Sequence, residues 1–322
     1  MNRKGMWIGT GLAVGSVAVG AVISGAITNH LIRFAIYREP PRIMGKARNR
    51  IKQTTAQQEF NLRVTETAQK LKNTAACEKV KIQGRDGISL VGHWYPASHP
   101  KRVIVAMHGW RSNWYKDFGM IADFWHEDGC SILFAEQRGQ NQSDGDYMTF
   151  GYMERYDCRS WVDFVNKRTE GRYPIYLAGL SMGASTVLMA AGLDLPATVR
   201  GIMADCGFTS ADAIWRHVVK DNLHLSYGIR GYLIDNICQR TLNTHAKNIT
   251  TVTAMQHANL PVLFIHGSDD RFVPIDMTFE NYKACRSPKE LLVVPGAGHG
   301  QSYFVEQGKY EEAVRAFWGK YD

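Results

Sequence analysis

Ile175-Tyr176-Leu177-Ala178-Gly179-Leu180-Ser181-Met182-Gly183-Ala184-Ser185-Thr186-Val187-Leu188-Met189 is the stretch on which the fold turns. Its first four residues are a short apolar run that reads as a buried strand. The residues after Gly183 are rich in Ala and Met and read as a helix. Between them lies G-x-S-x-G, a tight strand-to-helix turn with a serine at its tip. Such a turn holds the serine in a crowded backbone conformation, and small flanking residues relieve the crowding. The helix that follows presents unpaired amide hydrogens and a partial positive charge, the groups that stabilise a developing oxyanion. A glycine-rich turn with an incidental serine is the bland alternative. The strand–turn–helix context favours a nucleophile at Ser181.

Outward from this turn, the sequence after residue 76 alternates short apolar runs with helical stretches, the signature of a largely parallel sheet. Strands are expected at Glu78–Gln83, Ser89–Tyr95, Arg102–Met107, Cys130–Ala135, Ile175–Ala178, Val199–Ala204, Pro261–Ile265 and Glu290–Val294. Gly84-Arg85-Asp86-Gly87 makes the first two an antiparallel hairpin. Helices are expected near 115–127, 153–169, 183–193, 274–284 and 302–318. Residues 207–258 break the rhythm with helical character and no convincing strand, and read as a helical lid over the carboxyl ends of the strands.

A nucleophilic serine needs a base, and the base an orienting acid. His299 lies in Gly296-Ala297-Gly298-His299-Gly300, just past the last strand, where small neighbours leave the imidazole free to enter a cleft. For the acid, His266-Gly267-Ser268-Asp269-Asp270-Arg271 follows the penultimate strand. Asp270 is the favoured carboxylate and Asp269 a turn residue. Asp205, at the end of the strand Val199–Ala204, is a rival.

The chain order Ser181, Asp270, His299, each after its own strand, resembles the α/β-hydrolase superfamily. It is similar in particular to the branch of serine aminopeptidases and monoacylglycerol-lipase-like enzymes. The likeness runs from about Glu78 to the C-terminus and includes Asp86-Gly87-Ile88-Ser89-Leu90 and His108-Gly109-Trp110. It implies a mostly parallel eight-stranded sheet flanked by helices, with the acid at the fourth position after His266, which is Asp270. It further implies that Trp110 and Met182 supply the two oxyanion amides and that His108 is structural. One departure stands out: where the family carries D-x-R-G-x-G-x-S, this chain reads Glu136-Gln137-Arg138-Gly139-Gln140-Asn141-Gln142-Ser143. Asn tolerates the left-handed backbone that Gly otherwise supplies, so the turn is expected to survive.

The N-terminus has a different character. Met6–Ile27 carries no charge, follows Arg3-Lys4, and at ~1.5 Å per residue is long enough as a helix to span a ~30 Å hydrocarbon core. Residues 6–28 therefore read as a single transmembrane anchor, and 29–75 as a basic juxtamembrane helical connector before the catalytic domain at 76–322. A cleaved signal peptide is the alternative, but the apolar run is longer than that purpose requires. In the connector, Phe60, Val64, Ala68 and Leu71 share a helical face, fit to pack on the domain or to lie on lipid. The formal charge of +8 is uneven. Residues 1–85 hold 15 Lys/Arg and 4 Asp/Glu, the remainder 23 and 26, so the basic excess sits beside the anchor. That favours an anionic lipid surface over a nucleic acid as partner. The short basic start and the basic flank at Arg33, Arg38, Arg42, Lys46 and Arg48 point to opposite orientations, so the side of the membrane is left undecided.

Six scattered cysteines show neither C-x-x-C nor metal-ligand spacing, and no nucleotide or haem motif occurs, so no cofactor or metal is expected. The resulting expectation is a serine hydrolase of carboxylic esters or thioesters, acting through an acyl-enzyme on a small acyl substrate. The same triad would serve a peptidase or amidase. A catalytically silent binding protein on this fold is the third possibility.

Overall fold

The structure, a computed structural model, describes residues 26–39, 54–74 and 76–322. Eight strands form one sheet: β1 (Glu78–Gln83), β2 (Ser89–Tyr95), β3 (Arg102–Met107), β4 (Cys130–Ala135), β5 (Ile175–Leu180), β6 (Val199–Asp205), β7 (Val262–Gly267) and β8 (Lys289–Val294). Their spatial order is β1-β2-β4-β3-β5-β6-β7-β8. β2 is antiparallel to both β1 and β4, and the remaining pairings are parallel. β3, β4 and β7 are buried along their whole length, which is why they read as unbroken apolar runs rather than alternating ones.

Alternate side chains of each strand feed two cores. Val103, Val105, Met107 and Leu177 pack with α5 (Glu154–Arg168), α6 (Met182–Ala190) and the neighbouring α9 (Thr251–His257) on one face. Ile104, Ala106, Tyr176 and Ala178 face α3 (Trp114–Phe118), α4 (Ala122–Glu127) and α12 (Gln307–Tyr321) on the other. The stretch at 274–284 is α10 (Ile275–Ala284), and those at 115–127 and 302–318 each divide in two, the latter into α11 (Ser302–Val305) and α12 around Glu306.

Three segments refine the sequence reading. Helix α2 (Thr55–Lys72) is bound to the domain: Ala68 and Leu71 are buried, and Phe60 meets Phe304 edge-on. Of the two surfaces that suited this apolar face, domain and lipid, the face covers the domain. Second, residues 26–36 are helical (α1), with Ile32 and Ile36 buried in a third apolar cluster above the strand ends. The first residues of the helical connector are therefore packed on the domain. Third, the layer above the sheet ends before residue 258. It comprises α7 (Ala211–His217), a wide π-type turn at Val218–Asn222, and α8 (Gly228–Leu242). Its two ends are joined by a bridge between Ser210 and Thr250. Beyond that bridge α9 packs beside the sheet, with the buried Thr251 hydroxyl donating to Thr209 O at 3.1 Å. Helical periodicity says that a face is buried but not against what, so α9 was indistinguishable from a lid helix.

The expected anchor at residues 6–28 lies almost entirely outside the described residues. Among the described residues, no helix is long and apolar enough to cross a membrane.

Candidate active site

The site lies where β5, β7 and β8 end. Ser181 leaves β5 with φ 55° and ψ −117°, a sparsely populated conformation for a residue with a side chain. Such a conformation costs of order 1–3 kcal/mol and persists only where its surroundings over-determine it. Here the Ser181 N–H donates to Asp205 O at 2.9 Å and its carbonyl accepts from Ser185 N at 3.0 Å, pinning both sides. Close packing explains the flanking glycines. A Cβ on Gly183 would lie 1.8 Å from Met107 O, and one on Gly179 would lie 2.3 Å from the Gly183 carbonyl. Only bare backbone lets α6 start this close to β3.

His299 enters from the loop after β8. Its Nε2 is 2.9 Å from Ser181 Oγ, and its Nδ1 is 2.6 Å from Asp270 Oδ2. The Asp270 side chain is fully buried at the end of β7. Its Oδ1 accepts from the amides of Phe272 and Val273 at 2.8 and 2.9 Å, and its Oδ2 also lies 3.3 Å from His266 Nε2. Burial alone would raise the pKa of this carboxyl. The hydrogen bonds from His266 and His299, with the backbone amides, outweigh it and hold the group well below the usual carboxylate range. Asp270 is therefore a fixed negative charge facing one edge of the imidazole.

Asp269, one residue earlier, is exposed and accepts only from Ser268 Oγ among its side-chain contacts. Asp205 is buried beneath the site and accepts from Ser302 Oγ at 3.1 Å, with no hydrogen bond to His299. Burial pushes its pKa up to about 6. The structure thus brings Ser181, His299 and Asp270 into one line and leaves the rival carboxylates off it.

Trp110 and Met182 flank the serine. Met182 opens α6, where first-turn amides have no intrahelical acceptor. The loop carrying Trp110 is set by Gly109, whose N–H donates to Asp117 Oδ2 at 2.6 Å. A Cβ on Gly109 would come within 3.4 Å of Ser181 Cβ, so this loop passes directly beside Ser181. His108 is fully buried. Its Nδ1 donates to Gly109 O and its Nε2 accepts from Gln137 N, so it serves as a brace for the loop. Burial lowers its pKa and keeps it neutral. The divergent turn closes as expected, with Asn141 at φ 51° and its amide donating to Ser112 O at 2.9 Å.

One trio of possible metal-ligating atoms occurs among the described residues: Cys206, Asp270 and His299, within 4.8 Å of one another. Two of these already bind each other. Burial raises the pKa of the third, the Cys206 thiol, well above its ordinary value, leaving a protonated sulfur that is a poor ligand.

Above Ser181 lies a cavity of about 240 Å³. Ser181 supplies the hydroxyl at its floor, and the remaining lining is apolar, from the layer above the sheet (Ile214, Trp215, Val219, Ile234) and from Phe150 and Phe272. Leu31, Ile32, Phe34 and Ala35 of α1 complete it. Sequence reasoning expected the 207–258 segment to cover the strand ends but missed α1, Phe150 and Phe272. The spacing of Thr28, Ile32 and Ile36, one helical face that is buried in the structure, was a signal in the sequence. The adjoining uncharged run hid it.

Comparison with known proteins agrees with this fold. Residues 98–225 match the family model described as serine aminopeptidase, S33. An uncharacterized protein of Bacillus subtilis, YqkD, is 25% identical over 95% of both chains. Among solved structures, the Pyrococcus furiosus esterase Pf2001 superposes with a TM-score of 0.63 at 20% identity, covering 76% of this chain and 91% of its own. Est1E from Butyrivibrio proteoclasticus, with ferulic acid bound, superposes at 0.57 and 18% identity, covering 75% of this chain and 98% of its own. With the strand order and the turn at Ser181, these likenesses show that the chain has the α/β-hydrolase fold.

Proposed function

We propose that the protein is a serine hydrolase that cleaves carboxylic esters, or thioesters, through an acyl-enzyme intermediate. The observation that carries this reading is the continuous line from Ser181 Oγ through His299 to Asp270, with gaps of 2.9 and 2.6 Å. In that line the Ser181 hydroxyl donates to Nε2, and Nδ1–H donates to Asp270. Attack of Oγ on the ester carbonyl forms a carbon–oxygen bond and passes the hydroxyl proton to Nε2. The carbonyl oxygen becomes an oxyanion, and in this reading the amides of Trp110 and Met182 donate to it. Collapse expels the alcohol, which takes its proton from His299. Water, activated by the same imidazole, then releases the acid.

The pocket supports esters over aminoacyl amides. An enzyme that binds a free amine needs an unpaired acid nearby, and none of the pocket-lining residues is acidic. The three acids of the layer above are already engaged: Asp212 by Arg216 and Tyr227, Asp221 by His217, and Asp235 by His245. Pf2001 of Pyrococcus furiosus, whose fold this chain shares, is itself an esterase, which supports the same reading.

Size sets the acyl group. An apolar cavity of ~150 Å³ takes up benzene, so about 240 Å³ has room, by proportion, for an acyl chain of roughly eight to ten carbons. Each methylene buried is worth ~0.8 kcal/mol, about fourfold in kcat/KM. Measured on p-nitrophenyl esters from acetate to palmitate, kcat/KM should climb by about that factor per carbon and then fall past the medium chains. A flat profile, or one still rising at palmitate, contradicts a bounded acyl pocket. The uncharged run at 6–28 and its basic flank support a single-pass membrane location for the enzyme, the side of its catalytic domain being undecided.

A further inference from the structure

We infer that α1 is part of the substrate site: it forms one wall of the acyl pocket and sets which acyl length the enzyme accepts. The inference rests on the ester-hydrolase reading and adds to it a specificity element outside the sheet-and-helix domain.

Four residues of α1, Leu31, Ile32, Phe34 and Ala35, line the cavity above Ser181. They fall on one side of a helix, at i, i+1, i+3 and i+4. The two residues that face the domain, Ile32 and Ile36, are 4% and 0% exposed and share a cluster with Phe150, Phe208 and Trp215. The wall is therefore packed on the same apolar body as the opposite side of the pocket.

Polar contacts fix its position. The end of a helix leaves carbonyls without intrahelical donors. Here Arg111 supplies them: its Nε donates to Phe34 O at 2.9 Å, and its terminal nitrogens donate to the carbonyls of Phe34, Tyr37 and Arg38. The Trp110 indole donates to Ala35 O at 2.8 Å. Past the helix, Tyr37 bridges Tyr147, Met148 N donates to Ile36 O, and Arg38 N donates to Asp146 O. A segment tied at this many points is a built wall and not a tail resting on a surface. The two residues that hold it, Trp110 and Arg111, directly follow Gly109 in the loop beside Ser181.

The occupant this wall fits is an apolar, medium-length acyl chain, because every α1 side chain facing the cavity is apolar. Two substitutions in the full-length protein test the inference in opposite directions. Ala35→Leu fills the pocket and should move the preferred ester shorter. Leu31→Ala empties it and should move the preference longer. The readout is the ratio of kcat/KM for the p-nitrophenyl octanoate and butyrate esters within each variant, with Ser181→Ala as control. The ratio should fall by roughly fifteenfold in Ala35→Leu, about two methylenes' worth of contact. The longer esters, decanoate and laurate, should gain against octanoate in Leu31→Ala. Opposite shifts cannot arise from general damage to the fold. Activity that requires Ser181, with ratios in both variants within twofold of the parent, overturns the role of α1 and leaves the hydrolase reading standing. Activity that does not require Ser181 overturns both.

Discussion

Replacing Asp270 by Asn tests the assignment of the acid by changing one atom. In the native site Oδ1 accepts two backbone amides at 2.8 and 2.9 Å, while Oδ2 accepts from His299 Nδ1 at 2.6 Å. An asparagine keeps the side-chain volume, and the backbone amides will hold its oxygen in the Oδ1 position. Its NH₂ then faces His299, offering a donor where the ring needs an acceptor. The imidazole must put its own proton on Nε2, pointing at Ser181, and can no longer take the serine proton. The negative charge that would stabilise the imidazolium is also gone. In a triad of this geometry the combined loss is about 10⁴ in kcat, or roughly 5 kcal/mol of barrier. KM should change little, because the cavity lining is untouched. Steady-state kinetics on a medium-chain p-nitrophenyl ester give the magnitude, and a thermal melt of the same sample checks that the fold is retained. Asp269→Asn is the companion, and its exposed side chain predicts a change below threefold. The reasoning is refuted if folded Asp270→Asn keeps kcat within tenfold of the parent, or if Asp205→Asn is the crippling change.

Three further outcomes follow. Gly183→Ala puts a Cβ 1.8 Å from Met107 O, so α6 must lift off β3; we expect a loss of 4 kcal/mol or more in urea unfolding, and near-parent stability would contradict the close approach. Asp205 has a carboxyl pKa of about 6 in the folded state, above the ~4 of an unfolded chain, so the folded protein holds the extra proton between those values and stability falls as pH rises from about 4 to about 6. Asp205→Asn should flatten that slope, a difference on the order of 2–3 kcal/mol across the window; parallel profiles for the two proteins would contradict it. Full-length protein should sediment with membranes and resist carbonate extraction, since an inserted helix does not depend on surface charge, whereas a mature chain beginning near Ile27 would identify a cleaved signal instead.

The sheet was legible in the sequence because strands buried on both faces are written as apolar runs. β3 and β4 have the bounds the sequence reading gave them, and the ends of β5 and β7 differ by two residues. The residues at the strand ends were legible for a chemical reason: Gly179, Gly183 and the small neighbours of His299 mark where backbone comes close. Asn141 could be assigned to a left-handed turn because few side chains tolerate one. What sequence could not give was the identity of the surface each amphipathic segment covers. The faces of α1, α2 and α9 were visible as apolar spacings, but period alone does not distinguish lipid, lid and domain. For α1 the consequence is practical. A chain cut at residue 76, the boundary the sequence suggests, loses one wall of the pocket and the α2 contacts. Phe150 and Phe272 were missed for a related reason, because single aromatic residues in loops carry no periodicity.

The central claim is that Ser181 carries the acyl group during turnover. Full-length protein mixed with a medium-chain p-nitrophenyl ester, quenched in acid within the first turnovers and digested, can be examined by mass spectrometry for the acyl adduct. The account predicts the adduct on the peptide containing Ser181, its mass tracking the acyl chain supplied, and its absence from Ser181→Ala. An adduct on another residue, or the same adduct yield from Ser181→Ala, would contradict it.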